Sequence, residues 1–192
     1  MTNRQLLFHS RVLAVILVAV CASSVSWSQE TARYEVSGGY SYMRAGSPGG
    51  ESFNLQGANI AATYTFRQQF GFTADVGGYH FDDLGPGIDG RLYTVLLGPR
   101  FSYRHYKRFT PFAEALAGFA RHSVSTGVNS AAENSFSMML GGGLDITVRK
   151  RIAVRAAEVD YLLTRFEDAS GSAMTQNSLR ISTGVVLRFG KL

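Results

Sequence analysis

The segment Asn177–Phe189, NSLRISTGVVLRF, restricts what this chain can fold into more than any other stretch. Leu179, Ile181, Thr183, Val185, Leu187 and Phe189 share one parity, while Ser178, Arg180, Ser182, Gly184, Val186 and Arg188 share the other. A period of two belongs to a strand with one apolar and one polar face; a helix would scatter Arg180 and Arg188 among the apolar side chains. With 13 residues, the segment outruns the ordinary globular strand of about 5–6 residues. It approaches a tilted membrane-crossing strand of about 9–11 residues with its flanks.

Seven further segments read as strands: Ala32–Met43, Leu55–Phe66, Phe70–Phe81, Arg91–Tyr103, Phe109–Arg121, Ser135–Thr147 and Arg151–Arg165. Their connections alternate. Ala45–Asn54, Asp82–Gly90, His122–Asn134 and Phe166–Gln176 are long, whereas Arg67–Gln69, Arg104–Arg108 and Val148–Lys150 are short. Short turns on one side and longer loops on the other, with an even strand number, mark an up-and-down membrane barrel. The expected fold is therefore all-β, an eight-stranded antiparallel up-and-down transmembrane β-barrel. Pro99 removes a ladder donor and predicts a bulge; a second bulge is expected near Ala157, where the apolar parity switches.

Composition fits this reading. The 192 residues are 45% hydrophobic with a formal charge of +5, and no mature segment reaches the roughly 18 apolar residues of a membrane helix. Barrel strands interleave lipid-facing and lumen-facing residues, which hides them from such a count. Met1–Ser28 has a basic start (Arg4, Arg11), an apolar core over Val12–Ala22 and small residues at Ser26 and Ser28, the pattern of a secretory signal peptide. Residues 1–28 are read as that signal and 29–192 as the barrel domain. The only cysteine, Cys21, lies within the signal and follows Val20, which is too large for a lipoprotein site. The mature chain then holds no thiol, so disulfides and cysteine–metal sites are excluded.

The apolar parity is expected to face lipid and the polar parity to fill a narrow interior. The polar parity is Gly, Ser, Thr and Asn, punctuated by Glu35, Asp75, Arg100, Glu114, Asp145, Arg180 and Arg188. The bulge near Ala157 adds Arg155, Glu158 and Asp160 to the same face. A charge network that closes the barrel is expected from these ten residues, with rearranged pairs forming a narrow ion path as the functional variant. Aromatic girdles are expected at Tyr103, Phe109 and Phe112 on the turn side, and at Tyr40, Tyr42, Tyr79 and Tyr93 on the loop side.

The last strand also carries a resemblance. Ser182-x-Gly184-x-x-Leu187-x-Phe189 is similar to the C-terminal β-signal of bacterial outer-membrane barrel proteins, followed here by Gly190, Lys191 and Leu192. With the strand pattern, the chain resembles eight-stranded barrels of the OmpA/OmpX type over nearly its whole mature length. The resemblance implies an outer-membrane location, recognition of the last strand by the barrel-assembly machinery, and contact with outer-membrane lipids and lipopolysaccharide. No peptidoglycan-binding domain of the OmpA kind is seen after the barrel, so wall anchoring is not implied.

Candidate chemistry is sparse. His122 with Ser123 and Ser125 offers the residue types of a lipid A deacylase, yet neither acidic Glu133 nor Asp168 is placed to orient the histidine. His80, His105 and His122 lack metal-ligand spacing, and Asp82, Asp83 and Asp89 match no calcium loop. No catalytic residue, metal or cofactor is expected, nor nucleic-acid binding, since the basic turns lack a phosphate-binding loop or an aromatic strip. The expected role is structural or surface-interacting, as a monomeric anchor with four outward loops. A narrow pore for ions or small solutes is the first alternative, and a lipid A-modifying enzyme the second. N-terminal sequencing of exported protein should begin at Gln29; an uncleaved Met1 would refute the signal reading.

Overall fold

The computed structural model describes residues 32–46, 52–81, 88–126, 129–167 and 173–190. Residues 1–28, for which a signal peptide is expected, lie outside them. The described residues form eight strands: β1 Tyr34–Gly46, β2 Ser52–Thr65, β3 Phe70–Phe81, β4 Ile88–Ser102, β5 Phe109–Thr126, β6 Asn129–Arg149, β7 Ile152–Glu167 and β8 Ala173–Phe189. Each pairs antiparallel with its neighbour, and β1 pairs with β8 to close the barrel. The closing ladder runs from Tyr34↔Phe189 to Ala45↔Ser178. Both ends of the barrel chain therefore meet at the short-turn rim, where Phe70 N–H donates to the Arg67 carbonyl and Thr147 N–H to that of Arg108.

The outward face is the apolar parity. In β8, Leu179, Ile181 and Val185 are 44%, 46% and 47% exposed. Ser178, Arg180, Ser182 and Arg188 are buried. Only a barrel whose greasy side meets lipid turns this alternation to use. Phe66, Phe70, Phe72, Phe101 and Tyr103 are exposed near the short turns, and Tyr40, Tyr93, Phe119 and Phe136 nearer the loops. Two girdle assignments are corrected. Tyr79 and Phe112 are 3% and 6% exposed and point inward, because each shares the parity of an interior acid, Asp75 and Glu114.

The bulge near Ala157 is present: the β7–β8 register shifts between Arg155 and Glu158, and β6–β7 shifts between Leu144 and Asp145. It brings Arg155, Glu158 and Asp160 to the interior together. The bulge at Pro99 is not: Leu97↔Ala117 and Arg100↔Glu114 keep one register, and Phe72↔Pro99 lies within an unbroken β3–β4 ladder. Pro99 is exposed, so its ring meets the apolar surroundings and only a donor is lost. A further irregularity occurs between Thr147 and Arg149.

The expected third loop, His122–Asn134, is instead a hairpin extension. Pairing continues through His122↔Glu133 to Thr126↔Asn129. Strand pairing likewise reaches Gly46↔Ser52 and Glu167↔Ala173. Past the lipid, a ladder still gains hydrogen bonds, but its outward residues need not be apolar, which is why polar composition there mimicked a loop. The acidic stretch Asp82–Gly90 lies largely outside the described residues.

Closure depends on a glycine pair. Gly39 and Gly184 face each other across β1 and β8. A Cβ built on Gly39 falls 2.7 Å from the Gly184 Cα, and one on Gly184 falls 2.7 Å from the Gly39 Cα. Gly184→Val should therefore block folding of purified protein into detergent, where no assembly machinery takes part. Loss of the heat-modifiable band in SDS gels reads this directly; a variant that folds like wild type would refute the steric role.

Candidate functional site

The interior is where this chain concentrates its polar side chains. Glu35, Asp75, Arg100, Glu114, Asp145, Arg155, Glu158, Asp160, Arg180 and Arg188 are all buried there. The alternation of eight strands places them, and eight strands leave an interior that side chains fill.

Near the short-turn rim, Glu35 accepts from Arg188 at 2.9 Å and from Arg104 at 2.9 Å. Arg188 also donates to Thr147. Arg104, the first residue of the short basic turn Arg104–Arg108, turns inward because it continues the parity of Arg100 and Ser102 beyond the strand end. Above this group, Arg100 reaches Glu114 at 3.4 Å and Asp145 at 3.2 Å, and Arg155 reaches Asp145 at 2.9 Å and Glu158 at 3.2 Å. Both guanidinium groups lie against the Phe112 ring, 3.5 Å and 4.6 Å from its centre. Planar guanidinium groups suit such simultaneous stacking and carboxylate contact. The space for Phe112 comes from Gly143, where an added Cβ would lie 2.7 Å from the ring tip.

Arg180 anchors the third group. It donates to Asp160 at 2.7 Å, to Asp75 at 2.9 Å and to the Tyr79 hydroxyl at 3.2 Å. Asp75 also accepts from Asn59, whose amide oxygen accepts from Ser41. A ligand atom from each of Glu114, Glu158 and Asp160 lies within 4.8 Å of the others. The two upper groups set five carboxylates (Asp75, Glu114, Asp145, Glu158, Asp160) against three arginines (Arg100, Arg155, Arg180). The excess negative charge is concentrated at the carboxylate trio.

Toward the loop end the same inward parity turns apolar. Met43, Leu55, Tyr79, Leu92, Leu96, Leu116, Met139 and Leu162 form a buried cluster, with Phe53 and Phe81 packed against it. The sequence reading anticipated an interior of small polar residues and charges and did not include this plug, although Leu92, Leu96 and Leu116 stand on the parity of Arg100 and Glu114. A water file needs polar partners along its length, and this layer offers few. A crevice at the β1–β8 seam, lined by Ser37, Asn59, Arg155, Glu158 and Ser182 among others, has room for about one water molecule.

The hydrolase residues are not assembled. Strand alternation in β5 puts His122 and Ser123 on opposite faces, and the His122 ring lies 6.3 Å from Phe81. The side chains of Ser125, Glu133 and Asp168 lie outside the described set. His105 stacks with Tyr103 at the short-turn rim, and His80 is exposed on β3.

A closed barrel with lipid-facing apolar strands agrees with comparison to known proteins. The family described as "Outer membrane protein beta-barrel domain" matches residues 12–189. The chain belongs to this family. It is thus a bacterial outer-membrane β-barrel protein. Neisserial surface protein A (NspA) superposes with a TM-score of 0.69 at 19% identity, covering 81% of this chain and 97% of NspA. Ail, the attachment invasion locus protein of Yersinia pestis, gives 0.56 at 19% identity, with 81% and 99% covered. Ail in complex with the heparin analogue sucrose octasulfate gives 0.54 at 20% identity, with 80% and 97% covered. At these identities the likeness is one of fold. No curated protein matches the chain by sequence.

The charge arrangement makes a discriminating prediction. Arg180→Met strips two buried carboxylates of their cation and should cost about 3–5 kcal/mol. Glu114→Gln removes a surplus charge and should shift stability by less than about 1 kcal/mol. Urea unfolding in lipid vesicles measures both; equal losses would refute the charge count.

Proposed function

We propose that this family member is a passive outer-membrane anchor that presents its extended hairpins at the cell surface. The observation that carries the reading is the filled lumen: three ionic groups below and an apolar plug above. Side chains that fill a small barrel brace it and leave no room for a substrate. Part of what projects past the lipid is paired β-structure, as the β5–β6 ladder illustrates. A rigid paired hairpin loses less entropy on contact with a partner than a loose loop does.

In this reading residues 1–28 are a cleaved signal peptide and 29–192 the mature barrel. Ser182, Gly184, Leu187 and Phe189 are the signal through which the assembly machinery takes up β8. Leu187 and Phe189 point outward and Ser182 inward, which leaves the apolar pair accessible before the barrel closes. The mature protein works as a monomer among outer-membrane lipids and lipopolysaccharide, with no nucleic acid, metal, cofactor or catalytic residue.

The pore reading requires the apolar cluster to part, since the ionic groups alone do not span the lumen. The enzyme reading requires a serine and its base on one face, which β5 alternation opposes. In planar bilayers the purified protein should show no discrete conductance steps; steps that vanish in Arg100→Ala or Glu114→Ala would replace the anchor by a pore. Incubation with lipid A should release no fatty acid, and release would restore the enzyme.

A further inference from the structure

We infer that Glu114 and Asp160 share a single proton inside the lumen, carried by Glu114 as a neutral carboxyl and donated to the Asp160 carboxylate. The inference goes beyond the surface role proposed above and depends only on the filled interior. With the rim group included, the described lumen holds six carboxylates (Glu35, Asp75, Glu114, Asp145, Glu158, Asp160) against five arginines (Arg100, Arg104, Arg155, Arg180, Arg188). One carboxylate is therefore in excess. A buried acid without a cation of its own neutralises by keeping a proton rather than standing as a lone charge in a low-dielectric interior.

The ion pairs identify the acid in excess. Glu35 meets Arg104 and Arg188, Asp145 meets Arg100 and Arg155, and Glu158 meets Arg155. Asp75 meets Arg180 and also accepts from Asn59. Glu114 meets Arg100 at 3.4 Å, the longest of these pairs, through a guanidinium that also serves Asp145. Asp160 meets Arg180 through Oδ2, and that guanidinium is divided among Asp160, Asp75 and the Tyr79 hydroxyl. Asp160 Oδ1 is buried and has no hydrogen-bond partner among the described residues. The most weakly compensated acid and a carboxylate oxygen that needs a donor therefore belong to neighbouring side chains.

Gly141 is what brings them together. It is opposite Glu114 on β5 and opposite Asp160 on β7, so all three stand in one inward row that runs from Arg100 on β4 to Arg180 on β8. A Cβ on Gly141 would collide with Asp160 Oδ1. That oxygen therefore lies over the glycine, on the side toward Glu114. A carboxylate oxygen from each of Glu114, Glu158 and Asp160 lies within 4.8 Å of the others, a gap that the flexible Glu114 side chain closes. Two carboxylates sharing such a site do not both ionise, and the proton between them makes a strong O–H···O⁻ bond. Glu158, the third of the trio, is already held by Arg155 and by the Ser182 hydroxyl. Taken up from solvent as the barrel folds, the proton stays on Glu114, whose O–H donates to Asp160 Oδ1. The Arg100 and Arg180 groups then form one continuous network.

Infrared spectroscopy of the purified barrel in an ester-free detergent at neutral pH tests the proton. Folded wild type should show the carbonyl stretch of one neutral carboxyl group per chain. The band should shift when the protein is refolded in heavy water, and disappear once the barrel is unfolded by boiling in SDS at the same pH. Glu114→Gln should lose the band, because its amide donates to Asp160 Oδ1 without an acid proton. Asp160→Asn should lose it as well, since Glu114 then faces Arg100 with no carboxylate opposite. A folded wild type without the band, or a band that survives in either variant, would overturn the shared proton. Heat-modifiability in SDS confirms that each variant is folded; should Asp160→Asn fail it, Glu114→Gln alone carries the comparison.

Discussion

Inside hydrocarbon, a backbone N–H or carbonyl left unpaired costs several kcal/mol, because no water is present to replace the missing partner. A sheet crossing a membrane must therefore have no edge, and in this chain that requirement falls on the ladder between β1 and β8. The seam joins residues more than 150 positions apart in sequence, as Glu35 and Arg188 show by pairing side chains across it. The glycines at its centre let two backbones approach where any side chain would hold them apart. β8, which completes the cylinder, also carries the Ser182-x-Gly184-x-x-Leu187-x-Phe189 pattern, so Gly184 belongs to that pattern and to the seam at once.

Once lipid claims the outer face, the inner face of a narrow barrel has to be filled, and this chain fills it in two ways along its axis. The lower part uses ion pairs. Taking charges out of water costs several kcal/mol per ion, which only multiple, well-placed contacts offset; Arg180 meets two carboxylates and a phenol, and Arg155 meets two carboxylates and a ring. The upper part uses leucine and methionine, which carry no such desolvation cost. The boundary between the two parts is Tyr79, whose ring belongs to the apolar cluster and whose hydroxyl accepts from Arg180.

Most of this architecture was legible in the sequence because parity in a barrel is a strict code. Strand count, strand order, the lipid-facing set of β8 and all ten buried charges followed from alternation, and the Ala157 bulge followed from its interruption. Errors arose where a cue other than parity was used. Tyr79 and Phe112 were assigned by nearness to strand ends, yet each continues an inward row. Pro99 carried a bulge expectation from its missing donor, but on an exposed position the neighbouring strands hold the register. The His122–Asn134 hairpin was opaque for another reason: outside the bilayer, strands no longer need an apolar face, so composition cannot separate them from loops.

The interior network and the exposed cations of the described surface are two consequences of one distribution of charge. The chain carries 19 basic and 14 acidic residues, an excess that alone predicts only a general attraction to anionic surfaces. By drawing every described carboxylate into the lumen, the fold leaves inner acids outnumbering inner arginines among the described residues. Had Asp75 or Glu158 stood on the opposite parity, it would face hydrocarbon at a cost no lipid contact could offset. The constraint that keeps charge off the lipid face is thus the same one that fills the lumen with ion pairs. Cations near a charged membrane surface gain about 1 kcal/mol each, so the rims hold the barrel at its depth while the lumen holds it closed.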